Sequence, residues 1–237
     1  MTRPTVRIDG EVQGGGGGGG GGTAQAPDWI AEGATAAWGL QETGATFEDA
    51  GDNLWDVPRP GSTARLMHPL FSGKTARRFG GTFGSAAHAA ARIVSPLSLA
   101  AIQCFEGNYG EYGIYCYSTG LTDCLWGLGQ NASGMISVRD KRHGAGTLTT
   151  NIPAFFNYYN APTVVFATRG ATGIWKIYAN GALLYTSGTA ADPAVVDDEV
   201  IAIGGRNCFD HFGLWEEELS ASEIARLSKQ CIPWLDL

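Results

Sequence analysis

The chain has 237 residues, enough for one large all-β domain or two small ones, with 44% hydrophobic residues and seven tryptophans to fill a core. Its charged fraction of 16% is low, and its 35 glycines are about twice the usual share, which favours turns over helix. The formal net charge of −7, with only the isolated basic pairs Arg77-Arg78 and Lys141-Arg142, argues against a nucleic-acid partner.

Residues 1–26 read as an arm rather than a domain, and residues 27–237 as the domain it serves. In "TVRIDGEVQ", Val6, Ile8 and Val12 alternate with polar neighbours, which fits a short strand. Nine consecutive glycines follow, from Gly14 through Gly18 to Gly22. A free segment of this composition is a flexible linker reaching about 5–6 Å × √n. The alternative is an arm pinned by neighbours. Side-chain-free strands pack closely in extended form at about 3.1 Å per residue, and dense contacts then offset the entropy cost of ordering glycine. The pinned arm is the expectation. Met1–Gln13 carries charges but no apolar signal-peptide core, and no apolar run nears the roughly 18 residues of a membrane span, so membrane insertion is not expected.

Beyond Pro27 the pattern is all-β. The runs "TAAWGL", "SLAAIQCF", "YGIYCYS", "GMISVRD", "TVVFATR", "GIWKIYANGALLYTS" and "VIAIGG" are short, rich in β-branched and aromatic residues, and separated by Gly, Asn, Asp and Pro. That spacing predicts a two-sheet antiparallel sandwich or jelly roll. Asn180-Gly181 suits a two-residue type I′ turn, which needs positive φ at both positions. Trp175, Ile177 and Ala179 share one face of that hairpin, expected to be buried; Lys176 and Tyr178 share the other, expected to be partly so. One helix is predicted, in "LSASEIARLSKQ". Ser220 is its N-cap, Glu223 completes a capping box, and Leu219 with Ile224 forms a hydrophobic staple. It should pack on the sandwich edge and stop at "IPW".

The five cysteines, Cys104, Cys116, Cys124, Cys208 and Cys231, show no C-x-x-C spacing. Reduced, partly buried thiols are expected, with a Cys104–Cys116 bridge across neighbouring strands as the alternative. Asn131-Ala-Ser133 matches a glycosylation acceptor, but without a secretory route it carries no weight.

Two groups of residues could bind something. Tyrosine and asparagine crowd "EGNYGEYGIYCYSTG" and "FFNYYN": Asn108, Tyr109, Tyr112, Asn157, Tyr158, Tyr159 and Asn160. Tyrosine offers rigid amphipathic contact area at low entropic cost, which suits a sugar site, although β domains also use it in their sheets. Trp126, Arg206 and Asn207 are weaker candidates. Separately, "FEDAGDNLWD" places Glu48, Asp49, Asp52, Asn53 and Asp56 in one loop. Hard oxygens suit calcium, with Asp49, Asp52 and Asn53 as the candidate ligands. The spacing is not that of an EF-hand, and Asp and Asn also enter turns by bonding their own backbone, so a structural turn is favoured.

The order "AAWGLQETGATFEDAGDN", "RRFGGTF", "SPLSLAAIQCF", "PTVVFATRGATGIWKIYANGALLYTSG", "IAIGGRNCFDHFGLWEEELSASEIARL" resembles the concanavalin A-like lectin/glucanase superfamily. More narrowly it looks like the laminin-G-like domains of bacterial and phage surface proteins, over about Ala34 to Ser228. The resemblance implies a jelly roll that binds carbohydrate or another surface ligand, sometimes with calcium. The hydrolase branch carries paired acids on an E-x-D-x-x-E strand, and no such strand stands here. Glu216-Glu217-Glu218 and Asp197-Asp198-Glu199 read as solvated turns, and none of His68, His88, His143 and His211 accompanies a nucleophile-elbow motif. No enzyme activity is expected.

An arm joined to such a module implies a virion protein made in the host cytoplasm: a bacteriophage tail, fibre or capsid-decoration subunit. Its arm would bind other virion proteins and its head a cell-surface glycan, in a homo-oligomer, with a trimer favoured. The alternatives are a purely structural decoration and an extracellular bacterial carbohydrate-binding module.

Overall fold

The structure is a computed structural model that describes residues 27–40, 44–61, 63–67, 75–79, 82–88, 96–104, 112–117, 124–130, 136–139, 162–188, 200–205 and 208–235. The arm positions Val6, Ile8, Gly14, Gly18 and Gly22 lie outside the described residues.

The fold is all-β. The strands are β1 (Ala36–Trp38), β2 (Thr46–Phe47), β3 (Val57–Pro58), β4 (Thr63–Met67), β5 (Thr75–Phe79), β6 (Thr82–Ala87), β7 (Leu97–Cys104) and β8 (Tyr112–Tyr117). They continue with β9 (Cys124–Gln130), β10 (Ile136–Arg139), β11 (Pro162–Arg169), β12 (Trp175–Ala179), β13 (Ala182–Thr186), β14 (Val200–Gly205) and β15 (Cys208–Trp215), then helix α1 (Ala221–Leu235). The larger sheet runs β13-β12-β11-β7-β15-β5-β4, with β1 also on β15; the smaller runs β10-β9-β8-β14-β6. The registers within both sheets are antiparallel. Strand β15 is long enough to serve two partners on one side: Cys208 and Phe209 pair with β5, while Phe212 to Leu214 pair with β1.

Alternation in the strands produces the core. Leu97, Leu99 and Ala101 of β7, Val165 and Ala167 of β11, and Phe209, Phe212 and Leu214 of β15 meet Ile114, Cys116, Trp126, Leu128, Ile201 and Ile203 of the smaller sheet. A bulge between Phe209 and His211 makes Asp210 the extra residue and keeps the later residues of β15 in phase.

The other face of the larger sheet is covered as well. Ala100, Ile102, Val164, Phe166, Tyr178 and Trp215 form a second cluster with Trp29, Leu219, Ile224, Leu227 and Cys231. Helix α1 therefore lies on the sheet's face, not along the sandwich edge as its sequence suggested. This also buries Tyr178 to 4% exposure, although hairpin alternation predicted a partly exposed face. An amphipathic helix beside an apolar sheet face gains more by covering that face than by lining a rim.

The helix begins as its sequence dictates. The Ser220 hydroxyl accepts the Glu223 amide at 3.3 Å, and the Glu223 carboxylate accepts the Ser220 amide at 2.8 Å. It does not stop before Pro233 but runs through to Leu235. A proline in the last turn removes one backbone donor there, a smaller loss than in mid-helix. The Asn180-Gly181 turn has φ of 50° and 83°, the positive pair of a type I′ hairpin. Asn180 then ties it to the sheet by accepting the Val164 amide at 3.0 Å.

The suggested Cys104–Cys116 bridge across neighbouring strands does not form. Cys104 ends β7 in the larger sheet, whereas Cys116 sits buried in β8 of the smaller one and is in no disulfide.

Candidate functional site

Strand alternation arranges the outward face of the five-stranded sheet. In β8, Ile114 and Cys116 point into the core, so Gly113, Tyr115 and Tyr117 occupy the outward positions. Register extends the Tyr115 row across the sheet as Ser85, Ala202, Tyr115, Gly127 and Arg139. The adjoining row is Phe83, Gly204, Gly113, Gly129 and Ser137. Small residues form the middle of this face, and they are covered: Ala202 is 3% exposed, and Gly113, Gly127, Gly129 and Gly204 are buried, with the Tyr115 and Arg139 register positions two strands apart, about 10 Å at ordinary sheet spacing. Ser85 and Ala87 are exposed at the β6 rim.

Asn108, Tyr109, Asn157, Tyr158, Tyr159, Asn160, Arg206 and Asn207 lie outside the described residues. Tyr112 opens β8 at an inward-phase position in register with Gln130. Trp126 is a correction: it is fully buried between the sheets, next in register to Cys116, and belongs to the core. Its flanking alternation with Gly127 and Leu128 explains the placement. Tyr115 and Tyr117 alternate with Ile114 and Cys116, which puts their positions out of phase with the core.

The acidic loop is built around one carboxylate. Asp49 is 2% exposed; its Oδ1 accepts the amides of Ala37 at 3.0 Å and Gly51 at 2.9 Å, and its Oδ2 accepts that of Trp55 at 3.2 Å. Burial raises its carboxyl above the ordinary carboxylate value, opposed by those three amides. Asp56 accepts the Asp49 amide at 2.9 Å, and the Asn53 side chain donates to the Thr35 carbonyl at 2.9 Å. Trp38 Nε1 donates to the Trp55 carbonyl at 2.9 Å. Asp49, Asp52 and Asn53 are therefore not gathered as a calcium cage. Asp49 and Asn53 bind backbone, Asp52 is exposed, and among the described residues no three His, Cys, Asp or Glu side chains cluster as metal ligands. Buried backbone amides need acceptors, and a turn carboxylate supplies them locally.

Two further acids among the described residues make structural contacts. Glu216 to Glu218 are exposed ahead of α1, and Glu218 pairs with Lys176 at 2.7 Å. Buried Asp210 accepts His211 Nδ1 at 2.6 Å under the edge of Trp29.

No family model matches the sequence, and no curated protein matches it. Solved structures do. The botulinum neurotoxin type G receptor-binding domain superposes with a TM-score of 0.61 at 13% identity, covering 83% of this chain and 51% of that one. Botulinum neurotoxin type C, whose cell entry depends on interaction with two ganglioside molecules, gives 0.60 at 16%, covering 84% and 51%. Trypanosoma rangeli sialidase in complex with sialic acid gives 0.57 at 18%, covering 83% and 33%. The chain spans about half the length of the neurotoxin chains and a third of the sialidase. What this likeness carries is the fold: the protein is an antiparallel β-sandwich with one C-terminal helix.

Proposed function

We propose that this protein is a non-enzymatic, lectin-like binding module of the concanavalin A-like type, carried on a bacteriophage virion by its N-terminal arm and turned toward a glycan on the host surface. The observation that supports it most is the outward row of the smaller sheet, with Tyr115 and Arg139 positions flanking Gly127. The similar structures support it by analogy. One is named a receptor-binding domain, and another belongs to a toxin that enters cells through gangliosides. At these identities the likeness carries the fold, and binding is our inference from it.

A glycan array probed with the full chain tests the reading, with Tyr115→Ala alongside. Binding to a defined glycan, weakened at least tenfold in the variant, is the expected result. Silence on the array and in a host-cell adsorption assay would leave the structural-decoration role instead. Release of reducing sugar from mixed polysaccharides would overturn the non-enzymatic assignment. For the virion assignment, removal of residues 1–26 should abolish incorporation into particles; a truncated chain that still assembles defeats it.

A further inference from the structure

Of the five cysteines, one pair stands in direct register. Cys104 at the end of β7 and Cys208 at the start of β15 are Cα partners in the central strand pair of the larger sheet. They share a face. Leu97, Leu99 and Ala101 face the core, which puts Cys104 in the opposite phase, and Phe209 faces the core, which puts Cys208 there too. Directly opposed residues of an antiparallel pair have Cα atoms about 4.5–5.5 Å apart, within the roughly 4.4–6.8 Å that a disulfide accepts. The other cysteines are placed elsewhere: Cys116 and Cys124 in the smaller sheet, and Cys231 on α1, donating to the Leu227 carbonyl at 3.4 Å. Burial pushes the Cys231 thiol up to about 12, far from a reactive thiolate.

We propose that Cys104 and Cys208 are a redox-convertible cross-strand pair, a dithiol in a reducing compartment and a disulfide clip between β7 and β15 once the protein meets a low-molecular-weight disulfide. The step balances. The Cys208 thiolate attacks one sulfur of the oxidant, such as oxidised glutathione, forming a mixed disulfide and releasing one glutathione thiolate. The Cys104 thiolate then attacks the Cys208 sulfur, closes the internal bond and expels the second thiolate. The protein loses two electrons, the oxidant gains them, and the two thiol protons pass to the released thiolates. Arg78 of β5 is the other register partner of Cys208. The bond would close a loop of about a hundred residues, and long loops remove the most entropy from the unfolded chain.

The test uses the full chain, reduced and then equilibrated with oxidised glutathione, quenched with an alkylating reagent and denatured. The expected count falls from five free thiols to three, with no glutathione retained, and a non-reducing peptide map joins the Cys104 and Cys208 peptides. The thermal midpoint should rise by several degrees over the reduced protein. A triple variant, Cys116→Ser, Cys124→Ser and Cys231→Ser, should lose both remaining thiols together; because Cys116 and Cys231 are buried, the wild-type peptide map stands as the second readout if that variant does not fold. Five surviving thiols, a lasting glutathione adduct on either cysteine, or a link to any other cysteine would each overturn the pairing. This inference stands apart from the glycan reading, and neither result bears on the other.

Discussion

Arg226 Nη1 lies 2.6 Å from Glu32 Oε2, so a side chain of the C-terminal helix holds the first turn of the domain. Gln230 adds a second bond to Glu32 Oε1 at 2.7 Å. Both ends of the described chain are thereby fastened over the outward face of the larger sheet, where Trp29 packs edge-on to Phe166 and Trp215. The Gln230 and Arg226 hydrogen bonds hold the Glu32 carboxyl below its ordinary value. A carboxylate with a depressed folded pKa contributes stability above its unfolded value and loses it as pH falls through the folded value. Glu32→Gln should therefore cost under about 1 kcal/mol at neutral pH, because the pair is partly exposed. Its melting curve should converge on that of the wild type in acid; a gap independent of pH would remove the ionic explanation.

Asp49 has the opposite sign. Its folded pKa is raised, so its contribution to stability declines as pH rises from the ordinary carboxylate value through the folded one. Its bonds still matter more than its charge. Asp49→Ala strands three amides and should cost about 3 kcal/mol by chemical denaturation. Asp49→Asn keeps one acceptor oxygen and should cost less. Equal losses in the two variants would show that packing, not amide satisfaction, is the role of this side chain.

Gly181 sits at φ 83°, and a Cβ there would meet Ala225 Cα at 3.3 Å and Ser228 Cβ at 3.4 Å. The turn is thus pressed against α1 as well as bent into the left-handed region. Gly181→Ala should destabilise by about 1–3 kcal/mol, read as a lower thermal midpoint. An unchanged midpoint would mean the hairpin re-forms with another turn.

Trp126 and Tyr115 occupy positions on opposite faces of the smaller sheet. Trp126→Ala should cost about 3–5 kcal/mol, because the neighbouring core cannot fill the cavity. Tyr115→Ala, out of phase with the core residues of β8, should cost less stability than Trp126→Ala while weakening glycan binding. If calorimetry reversed these two values, the inward and outward assignment of β8 and β9 would be wrong.

What the sequence determined by itself is local. Asn180-Gly181 specifies a type I′ turn because two adjacent residues must both accept positive φ. Ser220 and Glu223 specify a helix start because each satisfies the other's amide within one turn. The short runs "SLAAIQCF" and "TVVFATR", apolar on both faces, rich in β-branched and aromatic residues and bounded by turn residues, specify strands. Tertiary structure decided the rest, because it depends on neighbours far apart in the chain. The face that α1 covers, the two partners sharing one side of β15, the burial of Trp126 and the meeting of Cys104 with Cys208 all follow from sheet order and register. A single strand carries its own two faces in its sequence; which of them meets a core, and beside which strand, is settled only when the apolar faces of distant segments exclude water together.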